Sequence, residues 1–510
     1  MKKWLTVICL VGFVHLGFAS QLIISIPPKW QRALPEKGRL FVFFAHRTQP
    51  EPRFRIGWAG PHPMPFFAVD VSRLQRIGRI VVPDSIIGYP ISRLRQLPGG
   101  TYVLQALLDV DTTYSFINAP GNLYSTPRTV QWKPGGGDTL HVQLTRRIPP
   151  ERLPKSSQFV RFVKIKSRLL SNFWKRDVYV RAGIILPRDY YDHPAKTYPV
   201  VYRIGGFHTR YTSVLKMMKN GHPFRRAWED STVPPMIVVQ LDGEAPFGDS
   251  YQMNSGNNGP YMDVLLQELI PAIEHQFRAV RNARGRFLTG ESTGGWVSLA
   301  LQIWNPDVFN GAWSFCPDAV DFHYLQLVDI YNDSSAFVNE YGYERPSMRM
   351  TDGEPVFSIR QEIYMENVMG RTNRFVTSGG QWGSWNAVFG PRGADGLPRP
   401  IWDPWSGKLD TAVAAYWKRF DLLAYLKAHW STVGPRLQGK LHIWMGDMDS
   451  FYLDNALRNL QRFLAQTTDP HSDAQIFFQP DAGHCWHGIT WAERFKQMAK
   501  RYRSDAKSSP

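Results

Sequence analysis

Gly290-Glu291-Ser292-Thr293-Gly294 is a G-x-S-x-G stretch, preceded by a short apolar run at 286–289 and followed by an apolar-periodic segment at 296–304. That context predicts strand, sharp turn, helix: a nucleophile elbow that holds a serine strained and exposed while the glycines let two backbones pass closely. A serine hydroxyl is a poor nucleophile at neutral pH. It needs a base within hydrogen-bond reach, and the base needs an acid to fix its tautomer. With this elbow the chain order is serine, acid, histidine, the acid just past a late strand and the histidine in the loop after the last strand. Both places are filled. Residues 441–445 lead into Gly446-Asp447-Met448-Asp449-Ser450-Phe451, and residues 475–479 are followed by Asp481-Ala482-Gly483-His484-Cys485-Trp486. His484 is the expected base, with His487 the alternative, already in the first turn of the final helix. Topology alone leaves Asp449 and Asp447 in competition for the acid. An oxyanion needs two backbone N–H donors, one from the residue after the serine, Thr293, the other from a loop after an earlier strand. Ile204-Gly205-Gly206-Phe207-His208 is that loop, with the Phe207 N–H as candidate and Gly206 as alternative. His208 and His222 are isolated and receive no role.

The elements that must hold these residues fall into two regions. Residues 20–150 show short alternating runs at 39–45, 79–83, 101–108 and 139–144, punctuated by Gly and Pro clusters, which predicts a small antiparallel β-sandwich-like domain. Residues 148–157 read as a linker. From 158 to 505 strands and helices alternate, which builds a mostly parallel sheet with helices on both faces. Its strands are expected at 177–186, 198–204, 236–241, 286–289, 310–315, 440–445 and 474–479, with a helix over 261–277 before the elbow. Strand–elbow–helix within such a sheet is the α/β-hydrolase fold. About 120 residues, 317–436, interrupt the order. They carry Trp382, Trp385, Trp402, Trp405, Trp417 and Trp430. An insertion at this sheet edge serves as a lid or substrate wall; most of its tryptophans are expected to fill the insertion's own core.

Residues 160–503 resemble the putative-esterase family of α/β-hydrolases, which includes S-formylglutathione hydrolases, feruloyl esterases, enterobactin esterases and mycolyltransferases. The resemblance is carried by the stretch 186–202, with Leu186-Pro187-Arg188-Asp189 at its head, and by 259–271, which starts Gly259-Pro260-Tyr261. In that family the acid lies three residues after the strand-ending glycine and two before a phenylalanine. Gly446, Asp449 and Phe451 fit, so the resemblance favours Asp449. The chain departs from the family at the oxyanion loop, where Gly205-Gly206 replaces the usual His-Gly, and in the length of the insertion after Cys316. The layout, with a leading β-domain, resembles secreted bacterial esterases.

Residues 1–19 read as a cleavable signal peptide: Lys2 and Lys3, an apolar run from Trp4 to Leu16, then Gly17-Phe18-Ala19. Cys9 lacks the small residue before it that a lipoprotein signal needs. A secreted or periplasmic protein is expected, and no later segment reaches 18 unbroken apolar residues. Two cysteines remain beyond the leader, Cys316 and Cys485. Both fall near one sheet edge, so one disulfide pinning the histidine loop stands beside two buried free thiols. The net charge is +17. No nucleic-acid module accompanies it, and the basic residues are scattered, so a solvated basic surface with peripheral attraction to an anionic envelope is the reading.

The whole predicts a serine hydrolase cleaving carboxylic esters of small molecules or polysaccharides through an acyl-enzyme. Ser292 is the nucleophile, His484 the base, Asp449 the acid, and Thr293 and Phe207 the oxyanion donors. No metal or cofactor is required. Acyl transfer by the same triad is one alternative, and a non-catalytic binding protein on this fold is another.

Overall fold

The computed structural model describes residues 21–135 and 139–507; the leader at 1–19, with Cys9, lies outside them. The chain divides into two compact units, the first made of residues up to 56 with 64–110 and 121–148, the second of 57–63, 111–120 and 149 onward.

The first unit is all β. One three-stranded sheet pairs Gln21–Ser25 with Arg79–Val82 and Thr139–Gln143, and a seven-stranded antiparallel sheet centres on Lys37–Ala45 and Gly100–Asp109. Alternate residues of both sheets enter one core: Leu22 and Ile24 from the first, Leu40, Val42, Phe44, Leu104 and Leu108 from the second. The period of two places these residues on one face. The short segments 57–63 and 111–120, which the alternation assigns to this domain, group with the second unit.

The second unit carries an eight-stranded sheet. Numbered along the chain within this sheet, its strands run in the order 1-2-4-3-5-6-7-8: Val160–Ser167, Val178–Ile185, Ile237–Leu241, Val200–Ile204, Arg286–Glu291, Ala312–Phe315, Leu441–Gly446 and Gln475–Gln479. The first two strands pair antiparallel and the remaining neighbours run parallel, apart from the antiparallel contact of Val178–Ile185 with Ile237–Leu241. This is the α/β-hydrolase order. The central strands are buried on both faces, as Val200–Ile204 and Ile237–Leu241 are at every residue, so they read as continuous apolar runs rather than alternations. The first strand, Val160–Ser167, escapes the sequence reading because Arg161, Lys164 and Lys166 interrupt its pattern.

The helix expected over 261–277 is helical with a defect. Tyr261–Val264 and Ile270–Gln276 are α-helical, and Leu265–Leu269 between them is wound as a π-helix. Pro271 has no N–H to donate back and its ring crowds the carbonyl four residues earlier, so the ladder shifts by one residue there.

The insertion between Phe315 and Leu441 folds as a hairpin, Pro346–Arg349 with Pro355–Ser358, and the helices Ile359–Met369, Gln381–Phe389, Thr411–Trp417 and Leu422–Leu437. Trp382, Trp385, Trp402 and Trp417 are buried, and Trp405 is exposed. Three of the buried ones, Trp382, Trp402 and Trp417, pack on aromatic neighbours of this same core, which is the core-filling role. Among the described residues no helix is long and apolar enough to cross a membrane.

Candidate active site

Ser292 stands between the strand Arg286–Glu291 and the helix Thr293–Trp304 at φ 55° and ψ −121°. A residue with a Cβ is strained there, and the surrounding backbone holds it in place. The Ser292 N–H donates to the Phe315 carbonyl at 3.0 Å. A Cβ on Gly294 would come within 2.0 Å of the Ile204 carbonyl oxygen. The elbow helix can therefore lie against the neighbouring strand only because position 294 is glycine.

Asp449 and His484 arrive on two loops at the same sheet edge. His484 Nδ1 and Asp449 Oδ2 are 2.6 Å apart, with Asp449 fully buried. The other Asp449 oxygen accepts the Phe451 N–H at 2.9 Å. The loops meet because Gly446 lacks a side chain: a Cβ there would lie 2.1 Å from the Ala482 carbonyl oxygen. Asp447 has a different task. Its Oδ1 accepts the Asp481 N–H at 2.8 Å, closing the turn before the histidine. His487 is exposed and packs edge-on against Phe315, 5.1 Å between centroids.

Burial disfavours the charged His484 ring, but the carboxylates of Asp449 and, more remotely, Asp318 outweigh it and hold the imidazole above its ordinary value. The ring packs edge-on to Phe451, 5.0 Å between centroids.

The histidine loop is tied from behind. Cys485 is joined by a disulfide to Cys316, 169 residues away in sequence and 4.9 Å away between Cα atoms. Cys316 itself is anchored by its N–H to the Trp444 carbonyl at 2.7 Å. Cys316, His484 and Cys485 form the one cluster among the described residues with metal-ligating spacing, but sulfurs spent in a disulfide are not thiolates and offer no ligand set. Removing the bridge by Cys316→Ser with Cys485→Ser should cost about 2–4 kcal/mol in urea unfolding, since it closes a long loop. It should also lower kcat, because His484 is the next residue. Two alkylatable thiols in the native, unreduced protein would rule the bridge out.

Two backbone N–H groups beside the serine have no acceptor. The Thr293 N–H opens the elbow helix, where the first turn has no intrahelical partners. The Phe207 N–H lies in the turn at 205–208. Neither donates to a protein group among the described residues. That turn passes close to the serine: a Cβ on Gly206 would lie 3.7 Å from Ser292 Cβ. The Gly206 N–H is equally free, so the geometry keeps both Gly206 and Phe207 as the second donor.

The serine hydroxyl does not engage His484 in this conformation. Ser292 Oγ donates to Asp318 Oδ1 at 3.3 Å. Asp318 is buried two residues past Cys316, and its other oxygen is crowded with donors: Tyr251 OH at 2.7 Å, Thr293 Oγ1 at 3.2 Å and Trp385 Nε1 at 3.2 Å. Gln381 Nε2 in turn donates to Tyr251 OH at 2.6 Å. Burial raises the Asp318 carboxyl, against the pull of Tyr251, His484, Trp385 and Thr293. The helix Gln381–Phe389, which supplies Gln381 and Trp385, is itself fixed by two acids, buried Glu366 and half-buried Glu362. Glu366 accepts the Trp382 and Gly383 N–H groups at 3.0 and 2.9 Å, and Glu362 accepts Trp382 Nε1 at 2.8 Å. Burial and the adjacent Glu362 raise the Glu366 carboxyl to about 8. The insertion also braces the acid loop, where Arg349 Nε donates to the Asp449 carbonyl at 3.0 Å.

The sequence reading singles out none of Asp318, Tyr251, Gln381 and Arg349, and names Trp385 only among the insertion's tryptophans. A carboxylate at the tip of the strand beside the elbow strand is a signal that could have found Asp318. The other four sit far away in sequence and carry no local signature.

A base works only when neutral, so kcat/KM should rise with pH through the His484 pKa. Asp318 helps hold that pKa up. Asp318→Asn should therefore move the acidic limb of the kcat/KM profile to lower pH. A limb that stays fixed or moves up would show that Asp318 does not act on His484.

The family model described as putative esterase matches residues 174–502. Among solved structures, a ferulic acid esterase is 13% identical with a TM-score of 0.40, covering 68% of this chain and 99% of its own. S-formylglutathione hydrolase from Agrobacterium tumefaciens is 13% identical with a TM-score of 0.36, over 67% of this chain and 95% of its own. FphF, a fluorophosphonate-binding serine hydrolase of Staphylococcus aureus, is 13% identical with a TM-score of 0.39, over 67% and 98%.

Proposed function

The chain belongs to the putative-esterase family of α/β-hydrolases, and from that premise we propose that it is a secreted serine esterase working through a Ser292–His484–Asp449 triad. Ser292 Oγ turns from Asp318 toward His484 Nε2 and attacks the ester carbonyl as His484 takes its proton. Asp449, bound to Nδ1, keeps the tautomer with Nε2 free and stabilises the imidazolium. The negative oxygen of the tetrahedral intermediate accepts the Thr293 N–H and the Phe207 or Gly206 N–H. On collapse the C–O bond to the leaving alcohol breaks, and His484 returns the proton to that alcohol. Water, deprotonated by His484, then attacks the acyl-Ser292 ester, releasing the acid and restoring the serine.

The observation that carries this reading is the 2.6 Å contact between buried Asp449 and His484, on loops at the sheet edge where the strained elbow presents Ser292. The free Thr293 and Phe207 N–H groups support it. A rotation of the serine hydroxyl completes the chain of contacts, since catalytic hydrogen bonds in an empty site are often not yet aligned. Secretion rests on the charged start, apolar run and small residues of positions 1–19. The substrate class is an ester of a small molecule or an acylated polysaccharide.

A fluorophosphonate probe tests the proposal. It should label the protein once, on the peptide carrying Ser292, with a rate that falls when His484 protonates. A protein that takes up no probe and cleaves no activated ester would overturn the reading, as would labelling mapped to another residue.

A further inference from the structure

A second concave site in the hydrolase unit has no part in this chemistry. A cavity of about 710 Å³ opens between the helix Pro223–Glu229, the loop after His484 and the start of the helix Trp491–Lys507. Its floor is cationic. Arg494 is 2% exposed, and its guanidinium lies between the rings of Phe315 and Trp491, 3.9 and 4.0 Å from their centroids. Nη1 donates to Thr289 Oγ1 at 3.0 Å. Nε has no partner, and no bond reaches Nη2 among the described residues. The one carboxylate in the floor is Glu291, which is already hydrogen-bonded and ion-paired to a second buried arginine, Arg203. Arg203 Nη1 goes to Gln240, and its Nε is also unpartnered. Of the two buried guanidinium groups, only Arg203 is paired with that carboxylate.

The rim adds positive charge. Lys216 and Arg226 are exposed at the mouth, His222 stands beside them, and the acid opposing them, Asp230, accepts the Thr232 N–H at 2.8 Å. A buried charge without a partner is strongly destabilising, and a guanidinium is best satisfied by an oxyanion along its N–H edge. Burial pushes the Arg494 guanidinium down to about 9, Glu291 opposing and Arg203 adding to the fall.

We propose that this cavity binds an organic anion by its carboxylate or phosphate group, with Arg494 at the floor, Lys216 and Arg226 at the rim, and Trp491 and Met217 as apolar wall for the organic body. The volume is that of a small-molecule site and exceeds what a bare inorganic anion fills. The site shares Glu291 with the elbow but none of the groups assigned to ester cleavage, and it stands whether or not that assignment does.

Calorimetric titration of the full-length mature protein with inorganic phosphate, phenyl phosphate and benzoate tests it. Phenyl phosphate or benzoate should bind saturably, more tightly than inorganic phosphate. Which of the two organic anions binds tighter distinguishes phosphate from carboxylate recognition. The Lys216→Ala/Arg226→Ala variant changes only exposed side chains and should weaken binding at least about tenfold, with cleavage of an activated ester unchanged. Arg494→Gln, if it folds, should abolish binding. Absence of saturable heat from all three probes overturns the proposal. So does undiminished binding in the rim variant, which would put the anion elsewhere, at the ester site for instance.

Discussion

Ser292→Ala should lower kcat on an activated ester by about 10⁶-fold, the effect of removing the nucleophile from a preorganised site, while the folded protein persists. Among the described residues its hydroxyl bonds only to Asp318 Oδ1; removal leaves that oxygen without its donor, a cost of about 1 kcal/mol, while Oδ2 keeps Tyr251, Thr293 and Trp385. The strain at position 292 belongs to the backbone, because alanine keeps the Cβ that makes φ 55° costly. Thermal unfolding of the variant should therefore stay close to wild type. The informative comparison is with Gly294→Ala. There the Cβ meets the Ile204 carbonyl, so elbow geometry and fold are damaged together. An alanine at 292 that retains more than a hundredth of wild-type activity would mean that another group performs the attack.

Asp449→Asn should lower kcat by about 10⁴-fold, about 5 kcal/mol of transition-state stabilisation, and Asp447→Asn should stay within a few fold. The two aspartates are two residues apart on one loop, so the contrast isolates geometry. Asp449 is fully buried with one oxygen on His484 Nδ1, whereas Asp447 holds the Asp481 N–H and lies 3.9 Å from Arg458. An asparagine at 449 can present its amide N–H to the ring, which favours the tautomer with the proton on Nε2 and removes the base. The loss should appear in kcat rather than KM, and fluorophosphonate labelling should slow in parallel. A larger effect at 447 than at 449 would exchange their roles.

Much of this molecule could be read from local pattern, and the reasons are physical. A parallel sheet buried on both faces writes its strands as short apolar runs, and the elbow needs small residues where backbones touch, so Ser292 and its strand and helix announce themselves. Gly446 and the residues after it stand where a strand ends, which brought Asp447 and Asp449 into view. The π-wound stretch at 265–269 was hidden because a helical period looks the same until a proline disturbs the hydrogen-bond ladder. The strand Val160–Ser167 was hidden because it is an edge strand whose run is broken by half-buried Arg161 and exposed Lys164 and Lys166.

Order along the chain placed a serine, a pair of aspartates and a histidine past the ends of three strands of one sheet. Those are properties of nearest neighbours and of a small set of allowed connections, so a single sequence carries them. Topology left Asp447 and Asp449 in competition and a bridge beside two free thiols; the tertiary structure put Asp449 against His484, joined Cys316 to Cys485, and alone showed that a buried carboxylate, Asp318, holds the resting serine hydroxyl under a roof of Tyr251, Gln381 and Trp385. It alone decided, too, that two arginines lie beneath the elbow behind one carboxylate. Each of these contacts joins residues tens to hundreds of positions apart, and their energies depend on burial and distance. No periodicity along the chain records either quantity.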